Sequence, residues 1–98
     1  MVKVIIREQL DVRFTMQHLA LGVDPRVVHC AEARDGSGKI DIWVEAELET
    51  LNRSEPSQVK GFTSFYVVAT GESTAENLQY LKTVVMSDGH VWHVHSVT

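Results

Sequence analysis

The sequence predicts a small, mainly β protein: an antiparallel β-sandwich or open barrel of about seven strands with one short helix. Apolar and polar residues alternate with period two in several runs, and turn signals rich in Gly, Asp and Ser separate these runs. No linker, internal repeat or low-complexity segment interrupts them. At 98 residues the chain has the size of one domain, which we assign to residues 1–98.

The first predicted strand runs from Val2 to Leu10, with apolar side chains at even positions on one face. Asp11 to Leu19 alternates again and predicts a second strand, with a helix over residues 14–21 as the alternative. Gly22-Val23-Asp24-Pro25 then breaks the chain.

A β-hairpin is predicted in the middle of the chain. Arg26 to Arg34 forms its first strand, Asp35-Gly36-Ser37-Gly38 its turn, and Lys39 to Leu48 its second strand. The second strand alternates strictly, so its even positions are expected to point inward and its odd positions outward. The outward set is Asp41, Trp43, Glu45 and Glu47.

The second half of the chain predicts a loop, a strand, a short helix and a hairpin. Glu49 to Lys60 is polar and predicts a surface loop, and Gly61 to Thr70 predicts a central strand covered on both faces. Ser73 and Glu76 have capping-box spacing, which predicts a helix from Thr74 to about Tyr80. Tyr80 to Val97 predicts a final hairpin that turns at Ser87-Asp88-Gly89, with Trp92 and Val94 facing the core.

Composition excludes some function classes. The net charge is −4 and there is no block of Lys or Arg, which disfavours binding to duplex nucleic acid. Cys30 is the only cysteine, as expected in a reducing compartment. The apolar run near the N-terminus is too short for a signal peptide or a membrane span, so we expect a cytoplasmic protein that does not contact a membrane.

Trp43 is the most informative candidate for a binding residue. Strand parity places its indole outward, between Asp41 and Glu45. A large aromatic side chain on an outward face indicates cover by a loop, a partner surface or a ligand platform. The covering segment would be residues 49–60 or the N-terminal segment.

His93 and His95 share one face of the last strand, a spacing that metal-binding strands use. A third ligand would have to come from His29 or Cys30, which face opposite ways. The alternative is that the two histidines are half solvated and bind no metal, and we assign neither a metal nor a cofactor. Cys30 is expected to be a buried structural thiol, and no catalytic motif occurs, so we expect a protein that is not an enzyme.

Several short motifs resemble a family of short uncharacterised proteins of tailed bacteriophages and their bacterial hosts. They are Val28-His29, Ile42-Trp43, Thr70-Gly71, Tyr80-Leu81 with Thr83-Val84, and the terminal Val91-Trp92-His93-Val94. The chain departs from the family pattern at Ala69 and His95. The resemblance implies no catalytic role; it implies a phage-like accessory protein in the host bacterial cytoplasm.

These observations favour a non-enzymatic binding protein that acts on a host protein factor, as an antagonist of host defence for example. One alternative is an oligomeric sponge for a small nucleotide-like ligand. At a subunit boundary, the ligand would be stacked on and hydrogen-bonded by Trp43, His93 and His95. Another is a metal-dependent hydrolase that uses His93 and His95. A thin core and unprotected sheet edges also predict a homodimer or a higher homo-oligomer.

Overall fold

A computed structural model describes residues 3–12, 16–22, 24–47, 62–71 and 77–97. These residues are all-β, which confirms the predicted class. The strands are β1 (Lys3–Leu10), β2 (Gln17–Leu19), β3 (Arg26–Glu32), β4 (Ile40–Glu47), β5 (Thr63–Ala69), β6 (Leu78–Val85) and β7 (Val91–Val97).

The strands form two sheets. One has three strands in the order β1-β4-β3, and the other has four in the order β2-β5-β7-β6. Every neighbouring pair is antiparallel. The apolar faces of the two sheets contribute to one common core, so the architecture is that of a β-sandwich.

The core follows from the alternation in β4. Ile40, Ile42 and Val44 are completely buried, which confirms that even positions point inward. Burial of each such side chain contributes roughly 1.5–3 kcal/mol to stability. The buried cluster contains Leu10, Leu21, Cys30, Ile40, Ile42, Val44, Phe65, Val67, Val84, Met86 and Val94.

Both predicted hairpins are confirmed. In the turn between β3 and β4, Gly36 and Gly38 have φ values of 74° and 77°, a region that L side chains rarely adopt. The Ser37 amide donates a 2.9 Å hydrogen bond to the carboxylate of Asp35. In the turn between β6 and β7, the amide of Met86 donates a 2.8 Å hydrogen bond to the carbonyl of His90.

The predicted central strand is β5, which lies between β2 and β7. Phe65 and Val67 pack in the core, while Val68 points to the opposite face and is also buried, with 3% of its surface exposed. A strand buried on both faces matches the apolar run that the sequence shows here.

The predicted helix is wrong where the structure describes it. Leu78, Gln79 and Tyr80 are the first residues of β6 and pair with Val97, Ser96 and His95 of β7. A helix of one or two turns is marginal by itself, and strand pairing is the stronger alternative. The rest of this segment, residues 72–76 with the capping-box positions, lies outside the described residues.

The second predicted strand is shorter than expected. Only Gln17–Leu19 forms β2, so this part is strand rather than helix, and residues 13–15 lie outside the described part. The side-chain amide of Gln17 exchanges two 2.7 Å hydrogen bonds with the backbone of Asp11. These bonds satisfy the backbone N–H and C=O groups of Asp11, which would otherwise need partners in a neighbouring strand.

No helix in the described residues is long and apolar enough to cross a membrane.

Candidate functional site

Trp43 lies at the centre of the outward face of the three-stranded sheet. In the strand register it is opposite Arg7 of β1 on one side and His29 of β3 on the other. The rings of His29 and Trp43 are 5.5 Å apart between centroids, with 39° between their planes. The indole is half-buried. We call the outward side chains Ile5, Arg7, His29, Asp41, Trp43 and Glu45 the Trp43 face.

The two carboxylates beside Trp43 are paired within the chain. Asp41 has only 2% of its surface exposed; its Oδ1 accepts a 3.1 Å hydrogen bond from Nε2 of Gln9, and its Oδ2 lies 3.8 Å from the guanidinium of Arg7. Glu45 lies 3.9 Å from Nζ of Lys3 and 3.3 Å from the guanidinium of Arg26. The expected acidic surface around Trp43 is therefore a surface on which carboxylates and cations alternate.

One apolar residue in each of the two strands beside β4 is exposed. Ile5 has 59% of its surface exposed and is opposite Glu45, next to Arg7 along the same face. Val28 is exposed at a β-bulge in β3, where the register shifts between Val27 and His29. A bulge redirects side chains at a strand edge, which here leaves an apolar residue beside His29.

The covering segment proposed for Trp43, residues 49–60, lies outside the described residues. Within the described part, neighbouring strands provide the cover: β1 contributes Arg7 and β3 contributes His29.

His93 and His95 point outward from β7 in the four-stranded sheet, as the parity of that strand predicts. Nδ1 of His93 lies 3.0 Å from Oγ1 of Thr83, and its Nε2 lies 2.9 Å from Oγ1 of Thr70. The ring of His95 packs edge-on against Tyr80 with 5.7 Å between centroids, and the residue is buried. Through these contacts the two imidazoles of β7 are connected to β6 and to the turn that follows β5.

The structure separates the two groups of candidate residues. Because both sheets turn their apolar faces to one core, Trp43 and the pair His93 and His95 lie on opposite sides of the molecule. His29 and Cys30, the suggested third metal ligands, both belong to β3 in the other sheet. Within the described part of the chain, no three His, Cys, Asp or Glu side chains lie close enough together to hold a metal ion.

Cys30 points into the core with 4% of its surface exposed. Burial raises the pKa of its thiol from 9.0 to about 11, and the positive charge of Lys82 offsets this only in part. The thiolate is the nucleophilic form, so this cysteine is suited to packing rather than to nucleophilic chemistry.

A cleft of about 580 Å³ opens at one end of the sandwich. Val27, Phe65, Leu81 and Val97 give it apolar walls, and Arg26 contributes a cation. Residues from four strands and two connecting segments line the cleft. Asp24, Phe62, Gln79 and Ser96 are among these residues. Sequence reasoning missed this cleft, because residues so far apart in the chain give no local pattern.

The residues around Trp43 were only partly predictable. Strand parity identifies Asp41, Trp43 and Glu45, since all three lie on one strand. Arg7 and His29 reach the site through the register with β1 and β3, which no short motif encodes.

No match was found among curated proteins, and none among solved structures. A family model does match, over residues 1–98. The chain belongs to the family described as "Domain of unknown function (DUF7352)".

Proposed function

We propose that this protein is a non-enzymatic accessory protein of phage type, which binds a host protein factor in the bacterial cytoplasm through the Trp43 face. The observation that carries the proposal is the position of Trp43: a half-buried indole at the centre of an outward sheet face. Tryptophan is enriched among the residues that dominate binding energy in protein interfaces, and such residues lie near the interface centre.

The surroundings of the indole support this role. His29 packs on one side at 5.5 Å, so the ring is held before a partner arrives and less conformational entropy is lost on binding. Ile5, exposed by 59%, adds apolar area beside it. Arg7, opposite Trp43, adds a side chain of the type that interfaces favour.

The charge pattern of the Trp43 face indicates how a partner would be recognised. Its carboxylates are already paired with Arg7, Lys3 and Arg26, so contact with this face need not bury an unpaired charge. Long-range attraction to a basic partner would then come from the net charge of −4 on the whole chain.

The test is affinity capture from a bacterial lysate with the tagged full chain, compared with Trp43→Ala. The matched control is Tyr80→Ala, which removes an exposed aromatic ring from the other sheet, where Tyr80 is exposed by 57%. We expect one host protein to be retained by the wild type and by Tyr80→Ala and lost with Trp43→Ala. Equal retention by both variants would contradict the proposal.

A second candidate function is the sequestration of a small nucleotide-like ligand. The cleft of about 580 Å³ favours it, because this volume is in the range of small-molecule sites and the lining offers the exposed ring of Phe62 for stacking and Arg26 for an anionic group. Thermal unfolding against a nucleotide panel tests this candidate, since a ligand that binds only the folded protein raises Tm. Unchanged Tm across the panel, with nucleotides at millimolar concentration, would count against it.

A further inference from the structure

The two flanks of the sandwich differ in how their edge strands are protected. On one flank, β3 and β6 lie against each other. The Glu32 carboxylate, at the end of β3, accepts hydrogen bonds from the amide and the hydroxyl of Ser87 in the turn after β6, the latter at 2.8 Å. Both strands also carry a register shift, at Val28 and at Leu81. Bulges and cover of this kind prevent a further strand from pairing.

The other flank is formed by β1 and β2, and its protection is weaker. β2 has three residues, whereas β1 has eight, in unbroken register with β4 from Lys3 to Leu10. In the described residues no strand pairs with the second edge of β1. About half of the backbone N–H and C=O groups of an antiparallel edge strand point to that side.

The two cations of β1 pair with carboxylates of β4, although their side chains remain more than half exposed. Lys3 and Arg7 are directed towards β4, where they pair with Glu45 and Asp41 at 3.9 Å and 3.8 Å. β1 contains no proline and no bulge, and its Ile5 is exposed by 59%. A long edge without a bulge or proline and with an exposed apolar residue is the kind that pairs with another strand.

We propose that a second copy of this chain pairs antiparallel along β1, so that two three-stranded sheets become one six-stranded sheet with the strand order β3-β4-β1-β1-β4-β3. A two-fold axis perpendicular to the sheet relates the copies, so outward residues meet outward residues. The inference does not depend on the proposed host partner, because the assembly forms from the purified chain alone.

Charge selects the register of this pairing. If the pairing is centred on Arg7 or on Glu8, that residue lies opposite the same residue of the second copy. If it is centred on Ile5, Lys3 of each copy lies opposite Arg7 of the other. Like charges directly opposite each other destabilise a sheet. Centred on Ile6, no like charges meet. The pairs are then Lys3 with Gln9, Val4 with Glu8, Ile5 with Arg7, and Ile6 with Ile6.

Sedimentation equilibrium of the full chain over a range of concentrations tests the pairing, with Ile5→Lys and Ile5→Glu as the decisive variants. In the monomer position 5 is exposed, and Glu45 opposite it is already paired with Lys3 and Arg26, so neither variant should unfold the chain, which far-UV circular dichroism checks. In the dimer position 5 is opposite Arg7 of the second copy. We therefore expect Ile5→Lys to raise the dimer Kd by about tenfold or more, while Ile5→Glu leaves it unchanged or lowers it.

The matched control is Val85→Lys, the same kind of change at an exposed residue of β6, and it should leave the dimer Kd unchanged. A wild-type chain that is monomeric at every concentration would overturn the inference. So would a dimer that Val85→Lys dissociates and Ile5→Lys does not, or one that responds alike to both charges at position 5.

Discussion

The outward faces of the two sheets are held together by different interactions. On the three-stranded sheet, ion pairs reach from β4 to β1 and β3 around Trp43. On the four-stranded sheet, His93 of β7 is hydrogen-bonded to the hydroxyls of Thr83 in β6 and of Thr70 just after β5, and Val68 and His95 are almost as buried as the core. Strand parity therefore sets the direction of a side chain, whereas its neighbours decide its exposure.

The largest expected effect tests whether the outward face of the four-stranded sheet has a covered centre. Val68 and Val85 are both valines in this sheet, exposed by 3% and 70%, respectively. Val68→Asp buries a carboxylate and should lower the free energy of unfolding by about 3 kcal/mol or more, or prevent folding. Val85→Asp should change it by less than about 1 kcal/mol.

Urea denaturation of the two variants beside the wild type measures this difference. Similar losses at both positions would show that the centre of this face is no more covered than its edge.

An intermediate effect is expected within the Trp43 face. Asp41→Ala removes a buried carboxylate and leaves Gln9 and Arg7 without this acceptor, so it should cost about 1–3 kcal/mol. Glu45→Ala removes a more exposed carboxylate from surface ion pairs and should cost less than about 1 kcal/mol.

Urea denaturation at low and high salt separates the two contributions. Salt should weaken the Glu45 contribution more, since pairs of exposed groups are screened more strongly than pairs that include a buried carboxylate. A larger loss for Glu45→Ala than for Asp41→Ala would show that burial does not rank the ion pairs of this face.

The smallest effect concerns Cys30, in the core between the two faces. Its pKa is raised from 9.0 to about 11, so between these pH values the thiol is ionised in the unfolded chain and protonated in the folded one. The unfolded state then binds fewer protons, and stability must fall as the pH rises through this window. Unfolding curves at pH 8 and at pH 10 measure the fall.

Cys30→Ala is the control for that measurement, because lysines and tyrosines also titrate in this range. The wild type should lose more stability between the two pH values than the variant does. An identical loss would mean that the thiol ionises equally in both states and that the core beside β3 admits water.

The sequence supported more of the fold than of the site. Alternation in β4 and the glycine-containing turns predict both hairpins, since period two and positive φ are local properties of the chain. The helix expected up to Tyr80 is wrong at Leu78–Tyr80, because pairing with β7 is a long-range interaction that local spacing does not report. The two hydrogen bonds between Gln17 and the backbone of Asp11 are likewise contacts that no local pattern reports.

By itself the sequence determined the β class, the positions of the main turns and the outward direction of Trp43, because each depends on residues adjacent in the chain. The tertiary structure decided which side chains surround that indole, placed His93 and His95 on the opposite side, and left β1 as the long uncovered edge among the described strands. These features depend on the order and register of strands far apart in sequence, and both are set by packing across the common core.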